Sequence, residues 1–82
     1  MAARVIRLSE VWAMLDTCAP GYGRREMAHS HQVTYNGRTY RRLPLGKHGS
    51  RKDPEIQAGH VRHMARHLEI VDCAKKSLPD IF

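Results

Sequence analysis

Cysteine is scarce in this chain. Cys18 and Cys73 are the two residues of that type, and no C-x-x-C spacing joins them. Two are too few for the disulfide framework of a small secreted domain, so both are expected as residues of a reducing cytosol. Long apolar runs are missing as well: none approaches the roughly 20 residues that a membrane span requires. The stretch Met1-Ala-Ala-Arg-Val-Ile-Arg-Leu8 carries no apolar centre of a secretion signal. A soluble, cytoplasmic protein with no membrane partner is the expectation. Aromatic residues make up only 6% of the chain, and of these Tyr35 and Tyr40 alone lie near the predicted hairpin, a thin basis for stacking single-stranded bases. Repeats, low-complexity tracts and linkers are absent, and with 82 residues the chain is one domain (1–82) with a modest core.

Acidic residues are few: eight Asp and Glu stand against fourteen Lys and Arg, for a formal net charge of +6 and a pI near 9.9. Such a surface attracts polyanions, because neutralising phosphates releases their condensed counterions. Arg outnumbers Lys, and the guanidinium suits bidentate phosphate contacts. RNA read by shape and backbone fits this composition better than a base-stacking surface does.

The apolar pattern divides the chain. Ser9 can cap a helix with Glu10 in its first turn, Val11, Leu15 and Cys18 on one face and Trp12 beside them; Ala19-Pro20-Gly21 ends it. Tyr22 to Ala28, with Arg24 and Arg25, reads as a basic loop. His29 to Tyr35 and Arg38 to Leu45 are β-prone runs around Asn36-Gly37, the strongest short-range signal for a type I′ hairpin. A two-residue turn pairs Tyr35 with Arg38, Val33 with Tyr40 and His31 with Arg42. Neither face is then wholly apolar, and a one-residue bulge would exchange them. Gly46 to Pro54 is a second basic loop, with Lys47, His48, Arg51 and Lys52. A helix follows from Pro54 or Glu55 to Leu68, its buried stripe formed by Val61, Met64, Ala65 and Leu68. In the tail, 71–82, the apolar positions Leu78, Ile81 and Phe82 belong either to the core or to a docking strip, and Pro79 stops any helix. The fold class is α+β: a small antiparallel sheet of two or three strands packed against two helices.

Six histidines invite chemistry. Histidine exchanges a proton near neutral pH, and Arg stabilises charge developing on phosphorus, so His31 beside Arg41 and Arg42 is the candidate for general acid–base cleavage of RNA. His29, two residues earlier, points to the same side of a regular strand. Arg24, Arg25, Arg41, Arg42, Lys47, His48, Arg51 and Lys52 would together hold the RNA backbone. His60, His63 and His67 fall in one helical sector, but no nearby Cys, Asp or Glu completes a ligand set and no H-E-x-x-H is present. Neither a metal nor another cofactor is expected.

The segment from Glu55 to Ile70, EIQAGHVRHMARHLEI, resembles the C-terminal helix of the HicA-like (YcfA-like) toxins. Leu43-Pro44-Leu45 followed by His48 resembles that family's strand-ending Val-Pro-Val-His, here with two extra residues before the His. Ser30-His31 resembles its Gly-Ser-His-His strand entry, with His29 in place of the Gly and Gln32 in place of the second His. The resemblance spans roughly Ser9 to Ile70 (the core, about 9–70). It implies a double-stranded-RNA-binding-like fold and an mRNA interferase, the toxin of a type II toxin–antitoxin pair, with a HicB-like antitoxin as partner. It also implies a catalytic strand-entry histidine, a role that falls to His31. The alternative from another class is a noncatalytic module of the same fold that binds RNA or an antitoxin.

Overall fold

The computed structural model describes residues 4–45 and 53–82. The expected phosphate-holding residues Lys47, His48, Arg51 and Lys52 lie outside them. The elements are β1 (Val5–Arg7), α1 (Leu8–Cys18), β2 (Gly23–Glu26), β3 (Ser30–Tyr35), β4 (Arg38–Pro44), β5 (Glu55–Gln57), α2 (Ala58–Leu68), α3 (Val71–Ser77) and a 3-10 turn at Pro79–Ile81. The architecture is α+β, as expected, with two antiparallel sheets: a main one of order β2-β3-β4 and a small one that pairs β1 with β5.

The hairpin forms where the sequence places it. Asn36 and Gly37 both take positive φ, 55° and 78°, as a type I′ turn demands. Val33 pairs with Tyr40 and Tyr35 with Arg38, but the register shifts between His31 and Val33, so that His31 faces Leu43 instead of Arg42. The bulge leaves Arg41 and Arg42 opposite the single residue Gln32. It also turns Leu43 onto the same face as His31, Val33 and Tyr40, making that face continuous enough to bury.

α1 buries Val11, Met14, Leu15 and Cys18, and α2 buries Val61, Met64, Ala65 and Leu68. Both stripes meet the face bearing Val33, Tyr40 and Leu43 in one core. The helix starts differ from expectation. Ser9 does not cap α1; the helix begins at Leu8, and the Asp53 carboxylate accepts hydrogen bonds from the Ser9 amide and hydroxyl, both at 2.7 Å. Glu55 to Gln57 is strand, not helix, because it pairs with β1. Through this small sheet Leu8 N–H reaches the Pro54 carbonyl at 2.9 Å and Ala58 N–H the Arg4 carbonyl at 2.7 Å. Each helix thus finds a partner for a first-turn amide on the segment leading into the other.

Gly23 to Glu26 is likewise a strand and not a loop. All four of its residues are exposed, so no alternation marks it, and charged side chains suit an edge. The tail belongs to the core: Ile81 is buried, Leu78 and Phe82 pack against the cluster, and Arg62 donates to the Ile81 carbonyl at 2.8 Å. Cys18 and Cys73 are joined as a disulfide, because α3 folds back on α1 and brings the two Cα atoms to 5.5 Å. The expectation of a disulfide-free chain is corrected accordingly. Among the described residues no helix is long and apolar enough to cross a membrane.

Candidate active site at the seam of sheet and first helix

Apart from the Tyr40 phenol, His31 is the one polar or charged side chain among the buried residues of the described chain, 8% exposed. Its position follows from the register: at the entry of β3 it shares the inner face with Val33, and the pairing with β2 places Glu26 beside it and Arg24 beside Val33. Trp12, projecting from α1, meets the imidazole edge-on, with ring centroids 5.1 Å apart and an interplanar angle of 86°. The Arg24 guanidinium lies 4.2 Å from the Trp12 ring centroid, and Tyr22 stacks on that indole at 6.3 Å. Cation–π and edge-to-face contacts of this kind contribute about 0.5–1.5 kcal/mol each, enough to set side-chain positions.

Burial sets the electrostatics of His31. Desolvation holds its imidazole below the ordinary value of 6.5; the Glu26 carboxylate opposes that shift and the Arg24 charge reinforces it. A ring that stays neutral at physiological pH can accept a proton. The neighbouring Ser30 hydroxyl donates to the Arg41 carbonyl at 2.8 Å and ties the entry of β3 to the bulge.

The other expected site residues are distributed. His29 sits exposed in the β2–β3 turn, preceding the strand, so the regular alternation that would align it with His31 does not reach it. Arg25 pairs with Gln32 on the outer face, away from Arg24. Arg41 and Arg42 are exposed and line a separate cavity with Thr39, Tyr40, His63 and His67. Arg24, rather than the bulge arginines, is the cation whose charge acts on His31. Trp12 and Glu26 were not legible as site residues: Trp12 gave only an apolar signal on α1, and Glu26 lay in a segment read as loop. No group of three or more His, Cys, Asp or Glu able to hold a metal occurs among the described residues. The chain matches no protein-family model, no curated protein and no solved structure.

Proposed function

We propose that the chain is a metal-independent endoribonuclease of the HicA type, a toxin that cleaves mRNA and is held by a HicB-like antitoxin. The observation that carries the reading is His31 itself: a histidine at the strand entry, kept neutral by burial and flanked by Arg24 and Glu26. In this reading His31 takes the proton of an RNA 2′-hydroxyl as that oxygen attacks the adjacent phosphorus. The P–O5′ bond breaks, leaving a 2′,3′-cyclic phosphate, and the departing oxygen gains a proton from water or from the returning imidazolium. Guanidinium groups stabilise the charge gathered on the phosphoryl oxygens. The order α1, β2, β3, β4, α2, interrupted only by the short β5 and flanked by β1 and α3, supports a double-stranded-RNA-binding-like fold, with α1 and α2 against the one face that carries His31 and Tyr40. A net charge of +6 supports RNA as the target.

The test is purified protein incubated with mRNA in EDTA. Cleavage at defined sites is expected for the parent chain and for His29→Ala, with a loss of about 10²–10⁴-fold in His31→Ala. The same fragments from His31→Ala would remove His31 from the chemistry. One observation favours the second reading, a noncatalytic RNA-binding or antitoxin-binding module: His31 is as buried as a core residue. Salt-dependent binding without cleavage by the parent chain would decide for it.

A further inference from the structure

A second histidine–aromatic seam lies where β4 meets α2. A cavity of about 280 Å³ opens there, lined by Thr39, Tyr40, Arg41, Arg42, His63 and His67. Its volume is several times the about 30 Å³ that a water occupies in the liquid. Tyr40 is 4% exposed, and its hydroxyl, out of solvent, has no hydrogen-bond partner among the described residues. A buried phenol without a partner costs about 1–3 kcal/mol. Because the hydroxyl has almost no accessible surface, a group in the cavity reaches it when the side chains over it part, and then binds with that much in reserve.

The surroundings say what kind of group. His63 and His67 stand against the Tyr40 ring, each with centroids 5.8 Å away. His67 Nε2 donates to the Thr39 carbonyl at 2.9 Å, since a carbonyl can only accept, so Nδ1 is an acceptor in the neutral ring and donates to an anion only when the ring is protonated. Arg42 is close enough for its charge to act on the Tyr40 phenol, while burial pushes that phenol up and keeps it a neutral donor. Among the described residues no carboxylate lines the cavity, and the Glu69 carboxylate at the end of α2 is held by Arg38 at 3.0 Å. The wall therefore offers a phenol, two guanidiniums and the His63 imidazole as donors, with His67 joining them as the imidazolium, a set suited to a phosphoryl anion.

We propose that this cavity is a phosphate-binding site in which Tyr40, Arg42, His63 and His67 hold a backbone phosphate of RNA. The RNA assignment rests on the function proposed above; the affinity for phosphate does not. The site is distinct from the His31 seam and would grip a phosphate away from the scissile one, setting where along the strand the cut falls.

The test has two arms, read on the full chain by the NMR signals of the histidine and tyrosine side chains. Inorganic phosphate is expected to give saturable shifts at His63, His67 and Tyr40 in the millimolar range, absent with chloride at equal ionic strength. A short RNA of mixed sequence should move the same signals at a lower concentration. His63→Ala/His67→Ala should weaken RNA binding about tenfold, the scale of losing one or two charge-assisted hydrogen bonds. Tyr40→Phe, which keeps the ring that packs in the core, should show the phosphate effect reduced if the double variant fails to fold. Absence of saturable phosphate shifts at these residues would overturn the site. Phosphate binding with undiminished RNA affinity in both variants would overturn the RNA assignment. Phosphate binding in a protein that cleaves no RNA would leave the site standing and remove the nuclease reading.

Discussion

The two seams of the molecule are built from the same parts in opposite order. On the α1 side the histidine is on the strand and buried, and the aromatic residue that meets it edge-on, Trp12, comes from the helix. On the α2 side the aromatic residue, Tyr40, is on the strand and buried, and the histidines, His63 and His67, come from the helix and are exposed. Burial and not residue type then decides the chemistry. A desolvated imidazole stays neutral and so has a free nitrogen to accept a proton, though with less affinity for it, whereas solvent-facing imidazoles beside guanidinium groups suit anion holding. The α1 seam is also tied covalently to the tail by the Cys18–Cys73 disulfide, whereas the α2 seam is held by packing, the His67–Thr39 hydrogen bond and the Arg38–Glu69 ion pair, with no covalent link.

That last difference gives the largest expected effect. The disulfide closes a loop over a separation of 55 residues, for which chain entropy gives about 4 kcal/mol of stabilisation. Cys18→Ser, or a strong reductant on the parent chain, is expected to lower stability by nearly that amount in urea melts and to speed amide exchange in α1 more than in α2. Equal melts with and without reductant would erase the distinction. Trp12→Ala comes next. The indole is half-buried, so its removal should cost about 2 kcal/mol, below the range for full burial. It should also uncover His31 and move its NMR titration midpoint upward toward 6.5, the value it has when solvated. A midpoint that stays put would mean that the indole does not supply the desolvation.

Much of this contrast was readable beforehand, and the rest was hidden for identifiable reasons. Asn36-Gly37 fixes the hairpin by local backbone chemistry, and the stripes of α1 and α2 by helical period, so those elements and the placement of His31 on β3 were legible. β2 was not, because an exposed edge strand of Gly23, Arg24, Arg25 and Glu26 carries neither alternation nor β-branched residues. β1 and β5 were not, because strands of three residues exist only through each other. The bulge is a tertiary choice: burying Leu43 beside His31 outweighs a regular ladder, and that choice separates Arg41 and Arg42 from His31. The Cys18–Cys73 contact likewise depends on where α3 docks. His63 and His67 were visible as one helical sector, but their partner Tyr40 is on another element. The cavity between them had no linear signature.

The pH dependence of stability sharpens the comparison further. Since the folded His31 binds its proton less well than the unfolded chain does, the unfolded state carries more protons below about pH 6.5. The stability that His31 allows is complete above that pH and is lost progressively as pH falls through the depressed folded value. His31→Gln is expected to flatten this part of the acid limb in urea melts taken between pH 7.5 and 5. An unchanged slope would show that His31 is as easily protonated folded as unfolded.

The smallest effect separates the seams most directly. Tyr40→Phe removes a hydroxyl that is buried and unpartnered among the described residues, and it leaves the ring against His63 and His67. Removing an unsatisfied group relieves its desolvation cost, so the variant should be as stable as the parent or more stable by up to about 1 kcal/mol in phosphate-free buffer. In phosphate the order should reverse, because a ligand that binds only the folded state stabilises it in proportion to its affinity, and the parent has the stronger site. Thermal melts of both proteins in phosphate and in an unbuffered chloride solution at matched pH and ionic strength provide the check. Parallel gains in the two proteins would show that the phenol takes no part in holding the anion.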